Sequence, residues 1–269
     1  MRVHLSCMAR AWLGLMAAIA LAAPSHAAGS ADCPARLRFV YGSEAAPPFV
    51  IGTGDEEPEP PGLLVQWLRE SLTSMSCTTE LVLARRPAAR VRLELAAGEH
   101  DLAIGVYRPA LAPTLVWPHD VPALRPLPYL SRTLLQLYVL EPAAFAWPSR
   151  VFDEQQARVG VVRGSVAELV ARERGWKLDL ATDMVTNVAK LRSARFEAML
   201  GQDVYIEPYL RTLQDKRIRA LAPPVGVDEY YLPAYRGFFE RHEGFVRTLW
   251  TRMCERAHAL MRDPAPCSP

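Results

Sequence analysis

Apolar positions fall along this chain in two alternating series. Residues 36–42 (RLRFVYG) read as a strand. Residues 62–74 (GLLVQWLRESLTS) put Leu63, Leu64, Trp67, Leu68 and Leu72 at helical spacing. Residues 79–84 predict a second strand, 87–97 a helix stopped by Gly98, and 101–106 (DLAIGV) an apolar strand with an acid at its start. This β-α-β-α-β order implies a parallel sheet. The first strand is broken by Ala46-Pro47-Pro48-Phe49, and residues 53–61 (TGDEEPEPP) form an acidic, proline-rich loop without a packing pattern.

A second series starts after a long extended run at 134–140. Residues 158–162 (RVGVV) predict a strand, Gly164-Ser165 a turn, and residues from 166 onward a helix. A strand at 177–180, a helix at 185–194 and a short buried strand at 198–201 follow. Residues 219–222 lead out and 228–235 (DEYYLPAY) look like one returning strand. Residues 238–261 predict a single long helix with Phe245, Leu249, Trp250, Met253, Ala257 and Leu260 on one face. No internal repeat is visible.

The N-terminus changes the picture of where this chain works. Arg2 and Arg10 precede or flank an apolar run at 11–23, and Ser25 and Ala27 supply small side chains after it. That is the layout of a cleavable signal peptide, residues 1–27. The run is shorter than the roughly 20 residues a membrane span needs, so a periplasmic mature chain is expected. Removing the leader leaves 29 basic against 29 acidic residues, which argues against nucleic acid as a partner. Cys33, Cys77, Cys254 and Cys267 remain, an even number suited to an oxidising compartment. Cys33 and Cys77 each just precede a predicted strand, so parallel neighbouring strands would pair them. The proline-rich tail at 264–266 folds Cys267 back towards Cys254 on the last helix. Metal binding is not expected: there is no C-x-x-C, and His100, His119, His242 and His258 show no ligand spacing.

Several short pieces, in their order and spacing, resemble the extracellular solute-binding proteins of family 3, the polar-amino-acid type of periplasmic binding protein. They are A-P-P-F at 46–49, Gly62 opening an amphipathic helix, and A-A-G-E-H-D-L-A-I at 96–104. Pro128-Tyr129, G-V-V-R-G-S at 160–165 and K-L-R-S-A-R-F-E-A at 190–198 complete the set. The resemblance runs from about residue 36 to 261. It implies an α/β fold of two lobes, each a mixed, mainly parallel sheet flanked by helices, joined by two crossovers. Lobe 1 would comprise residues 33–138 and 225–269, and lobe 2 residues 142–222. A ligand would be clamped between them, without a cofactor, by a monomer.

The same resemblance nominates ligand-binding residues: Phe49 to stack on the ligand, Arg108 and Arg163 beside the cleft, Gly164 and Ser165 at a helix N-terminus that favours an anion, and Asp203. Each has a plainer reading as well: Phe49 as packing, Arg108 as a solvated side chain, Ser165 as an N-cap, and Tyr129 as a structural residue of the crossover. Two positions depart from the family pattern. The Thr-x-x-Arg after the third strand is absent, with Tyr107-Arg108-Pro109 in its place, and the acid expected in lobe 2 falls on Gln202, one residue before Asp203.

Function follows as an expectation of three classes. The first is a solute-binding protein for an amino acid or small carboxylate, feeding an ABC permease. The second is an accessory or sensory protein using the same fold to contact a periplasmic partner such as a dehydrogenase or receptor. An enzyme is the third and is not expected, because Ser165 sits in R-G-S-V-A without a nucleophile elbow and Glu56-Glu57 lie in a loop with nothing to hold them.

Overall fold

The computed structural model describes residues 33–107, 113–122, 124–143, 147–148 and 157–267. The expected leader at 1–27 and Arg108 lie outside the described residues. Two sheets organise the chain. The first has β1 (Arg36–Gly42) between parallel partners β2 (Glu80–Arg86) and β3 (Leu102–Ala103), then β12 (Ala234–Tyr235) and β5 (Leu115–Val116). The second runs β4 (Gly105–Val106), β11 (Gly226–Tyr231), β6 (Ser131–Leu140), β9 (Ala198–Gln202), β7 (Arg158–Val162), β8 (Lys177–Ala181), with β10 (Ile218–Ala220) also on β6. The second sheet is mixed: β7 is parallel to β8 and β9, whereas β6 is antiparallel to β9, β10 and β11.

Helices cover both sheets. Those of the first are α1 (Leu63–Ser74), α2 (Ala88–Ala96), α6 (Arg236–Arg241) and α7 (Glu243–Met261). Those of the second are α3 (Val166–Glu173), α4 (Met184–Arg192) and α5 (Asp203–Leu213). The apolar stripe of α1 and that of α7 share one core with β1: Leu64, Trp67 and Leu68 pack with Phe245, Leu249, Trp250 and Met253 over Leu37 and Phe39. The Trp250 indole N–H, buried in this core, donates to the Leu232 carbonyl at 2.5 Å, so the fully buried indole is satisfied. A separate core of Leu137, Val159, Val161, Ala198 and Leu200 holds the second sheet to α3.

Three expectations change at the elements themselves. The run at 101–106 is two strands, because β3 belongs to the first sheet and β4 to the second, with Ile104 between them. The run at 228–235 divides in the same way at Leu232-Pro233, where proline has no N–H to continue a ladder. The last helix breaks at His242, whose φ of −134° is non-helical. The helix α5 is not expected from sequence, although Ile206, Tyr209, Leu210 and Leu213 fall at helical spacing along it, with Pro208 inside. Sheet membership also bears on the lobes: residues 131–138 lie in β6 and residues 226–231 in β11, and both strands belong to the second sheet.

Asp101, the acid that begins the third strand, is buried and structural. It accepts from the Arg38 backbone N–H at 2.8 Å and from the Arg38 guanidinium at 2.6 and 3.1 Å. The pairing locks β3 against β1 and leaves no oxygen directed at a ligand. Buried Arg85, at the end of β2, donates to the carbonyls of Gly52 (2.6 Å) and Glu56 (2.8 Å) and so fixes the acidic loop to the sheet.

Both expected disulfides are present. The parallel pairing of β1 and β2 sets their starts side by side, and Cys33 is joined to Cys77; Cys254 is joined to Cys267. The tail is strapped further by Tyr129, whose hydroxyl donates to Asp263 at 2.5 Å, and by His258, whose Nδ1 lies 2.8 Å from the Ala265 carbonyl. The Tyr129 hydroxyl is pushed up to about 12 by burial and by its bond to the Asp263 carboxylate. His258 also lies 3.5 Å from Cys267 Sγ, a grouping the scattered histidines did not announce; the two sulfurs are bonded to one another and offer no thiolate.

The two bridges should differ in weight. Cys33 and Cys77 are separated by 44 residues and Cys254 and Cys267 by 13. Chain-entropy scaling gives about 4 kcal/mol for the first and about 3 kcal/mol for the second. Urea unfolding of the Cys33→Ser/Cys77→Ser and Cys254→Ser/Cys267→Ser variants should therefore show the larger loss in the first. A larger loss in the second would mean that the tail strap, and not loop closure, dominates.

Candidate functional site

A cavity of about 320 Å³ lies between the two sheets, at the small end of the range for small-molecule sites. The first sheet contributes the end of β1 (Gly42, Ser43, Glu44), the start of α2 (Pro87, Ala88, Val91, Arg92) and the crossing residues 103–106. The second contributes the β7–α3 turn (Arg163, Gly164, Ser165), the β8–α4 turn (Thr182, Asp183, Met184) and the end of β9. Much of the wall is apolar, with Leu95, Leu115, Val162, Leu169, Met199 and Leu200 prominent. Strand C-termini and helix N-termini thus face the cavity from both sides, the usual place for a ligand in open α/β sheets.

The two sides touch directly. Arg92 of α2 donates from Nη1 to the Gly164 carbonyl of the opposite turn. Gly164 adopts φ +75°, and a Cβ there would stand 2.5 Å from the Ala89 Cβ. Only glycine permits this backbone at this approach. On the next turn, Glu44 Oε1 accepts from the Met184 N–H at 3.3 Å. Burial pushes the Glu44 carboxyl up from its ordinary value, opposed by this N–H and assisted by nearby Asp183. Burial also lowers the Arg92 guanidinium, countered in part by Glu168.

The N-terminus of α3 is occupied by the chain itself. Ser165 Oγ accepts from the Glu168 N–H at 3.2 Å, which makes Ser165 an N-cap. The Glu168 carboxylate turns back and accepts from the Gly164 N–H at 2.5 Å, while Arg172 holds its other oxygen at 2.8 and 2.9 Å. Burial works against ionisation of Glu168, but the Gly164 N–H and Arg172 outweigh it and hold the carboxyl below its usual value. The α4 N-terminus is closed likewise: Asp183 accepts from the Thr186 N–H at 2.7 Å, beside Glu44 on Met184. The N-termini of α3 and α4 therefore already carry internal carboxylates.

Of the residues nominated from sequence, Arg163, Gly164 and Ser165 line the cavity, with Arg163 exposed at its edge. Phe49 is not among the residues that line this cavity. It packs edge-on against Trp67 at 5.8 Å between ring centres and lines an adjoining hollow of about 40 Å³ that shares Gly42, Ile104, Tyr205 and Tyr230 with the cavity. Asp203 is absent from the wall, because its Oδ1 accepts from the N–H groups of Leu134 at 3.0 Å and Val204 at 2.8 Å. Its neighbour Gln202 lines the cavity instead, donating to Asp228 at 3.0 Å and accepting from the Tyr230 hydroxyl at 2.8 Å. Sequence reading also missed Glu44, Arg92, Trp117 and Asn187, which come from four separated segments and share no local motif.

The depressed Glu168 pKa has a sign that can be tested. Its stabilising contribution is present above the ordinary value of 4.5 and is lost as pH falls towards the folded-state pKa. Melting curves of wild type and Glu168→Gln should converge as pH drops below about 4.5, with the wild type more stable at pH 7. A pH-independent gap would show that Glu168 acts only through packing.

No family model matches this sequence, and no curated protein does. Solved structures do match. A histidine kinase sensor domain with similarity to periplasmic binding proteins superposes with a TM-score of 0.65 at 14% identity, covering 87% of this chain and 98% of the other. The GluR0 ligand-binding core, in complex with L-glutamate, gives 0.61 at 17% identity over 87% and 96%. An arginine 3rd transport system periplasmic binding protein from Legionella pneumophila gives 0.58 at 13% identity over 86% and 95%. With two mixed α/β sheets flanked by helices, crossing strands and a cavity between the sheets, this chain has the two-lobed fold of the periplasmic binding proteins.

Proposed function

We propose that this chain is an exported solute-binding protein that clamps a small solute between its two lobes. The cavity between the sheets supports this reading most directly, because residues of both lobes build its wall and bond to each other at its rim. We place the lobes on the two sheets, with β6 and β11 in the second, and the ligand against Arg163, Gly164 and Ser165 on that side. The leader-like N-terminus supports export of the mature protein to the periplasm. Among the described residues no helix is long and apolar enough to cross a membrane. Delivery to an ABC permease is the role that the similar transport proteins support.

A second reading, a sensory or accessory module, draws on the sensor domain among the similar structures. Direct bonds between the lobes favour it too, since Arg92 and Glu44 already supply contacts that join the two sides.

Thermal-shift screening of the mature chain against amino acids, amides, amines and small carboxylates separates the two. A bound solute at a hundredfold excess over Kd stabilises the fold by about 2.7 kcal/mol. Leu169→Trp, which puts an indole into the cavity, should abolish the shift and leave the circular dichroism spectrum intact. A panel without any shift would favour the partner-binding module.

A further inference from the structure

Two basic side chains line the cavity, Arg92 from α2 and Arg163 from the β7–α3 turn. Arg163 is exposed, where water weakens any ion pair it makes. Arg92 is half-buried and spends only Nη1 on the protein, bonding the Ala88 carbonyl at 3.5 Å and the Gly164 carbonyl across the cleft. It makes no ion pair among the described residues. The carboxylate that acts on it through space, Glu168, is held by the Gly164 N–H and by Arg172. Nε and Nη2 of Arg92 are therefore left without a partner among the described residues, and neither is sealed from solvent. These two nitrogens form one edge of the guanidinium, and its parallel N–H bonds match the two oxygens of a carboxylate.

The rest of the wall sets what that anion is attached to. Leu95, Leu115, Met199 and Leu200 make it largely apolar. Its own carboxylates, Glu44 and Asp183, are engaged at the β8–α4 turn, Glu44 by the Met184 N–H and Asp183 by the Thr186 N–H and the Thr182 and Thr186 hydroxyls.

We infer that the cleft takes a carboxylate on a small apolar body, that the Nε–Nη2 edge of Arg92 is its anchor, and that the same side chain couples binding to closure, because Nη1 holds the Gly164 carbonyl of the other lobe. The inference rests on the solute-clamp reading and narrows it: the anion sits on α2 of the first lobe, and not on the β7–α3 turn. A bound carboxylate compensates a half-buried cation, whereas an uncharged isostere leaves it uncompensated.

The test uses the full mature chain and four compounds on one branched skeleton: 3-methylbutanoate, leucine, 3-methylbutanamide and 3-methylbutan-1-amine. By calorimetry the better of the two carboxylates should bind about tenfold or more tighter than the amide and the amine. Arg92→Lys keeps the charge and loses the fork, and Arg92→Met loses both. Each should weaken carboxylate binding by about tenfold or more and change amide binding far less, whereas a general loss of packing would lower the two alike. Small-angle scattering of the ligand-free proteins should give Arg92→Met a larger radius of gyration than wild type. The inference is overturned if the amide, the amine or inorganic phosphate binds wild type more tightly than both carboxylates, if Arg92→Met leaves carboxylate binding unchanged, or if Arg163→Ala costs more than Arg92→Met. An equal radius of gyration overturns the coupling to closure. Failure of all four compounds, with shifts from other members of the thermal-shift panel, overturns this inference alone. Failure of that panel as well removes the clamp reading with it.

Discussion

Everything near the cavity depends on one pair of crossing strands. Residues 102–106 and 230–234 run antiparallel beside each other, with Tyr231 opposite Gly105 and Ala234 opposite Leu102. Between those two registers the ladder changes sheet, and the Ala103 N–H donates to the Pro233 carbonyl at 3.1 Å. Each strand thus serves the first sheet at one end and the second at the other. Leu232, in the same crossing, has its carbonyl taken by the Trp250 indole N–H, as buried backbone groups at such a waist require partners. Ala103, Ile104, Gly105, Tyr230 and Pro233 all line the cavity, so the waist is also its floor.

From that floor the two rims reach towards each other, and their chemistry is mainly internal. Family resemblance assigns helix N-termini facing such a cleft to a ligand anion. Here Glu168 fills one and Glu44, with Asp183, fills the other. The donors are real anion sites in physical terms, since N–H groups and the helix dipole favour negative charge. The chain supplies that charge itself, and the glycine at 164 lets the opposing backbone approach close enough for Arg92 to bridge the gap. The same observation explains why an intact turn motif need not mean an intact amino-acid site. A helix N-terminus binds whichever carboxylate is tethered nearest, and Glu168 lies on its own first turn.

Several buried polar side chains of this protein are structural. Asp101, Arg85 and Gln202 look chemically active by residue type, yet each is held by neighbours: Asp101 by Arg38, the two terminal nitrogens of Arg85 by loop carbonyls, Gln202 by Asp228 and Tyr230. Satisfied networks of this kind rigidify the frame. Asn187 and Trp117 look bland by type and are left unmet.

The linear sequence determined the elements whose signal is local. The helix at 62–74 followed from apolar spacing, the strand at 36–42 from its run of residues, and the Cys33–Cys77 bridge from two cysteines placed before neighbouring strands. It also showed the departures at Arg108 and Gln202, because a missing motif is as legible as a present one. Tertiary structure alone decided which sheet each half of 101–106 and 228–235 joins, since an apolar strand has the same pattern on either side of a crossing. It alone sent Phe49 to a packing site and Asp203 to the Leu134 N–H, for a side chain's direction depends on elements far away in sequence. And it alone gathered Glu44, Arg92, Trp117 and Asn187 around one cavity: contacts between distant segments leave no periodicity, spacing or motif in the chain that makes them.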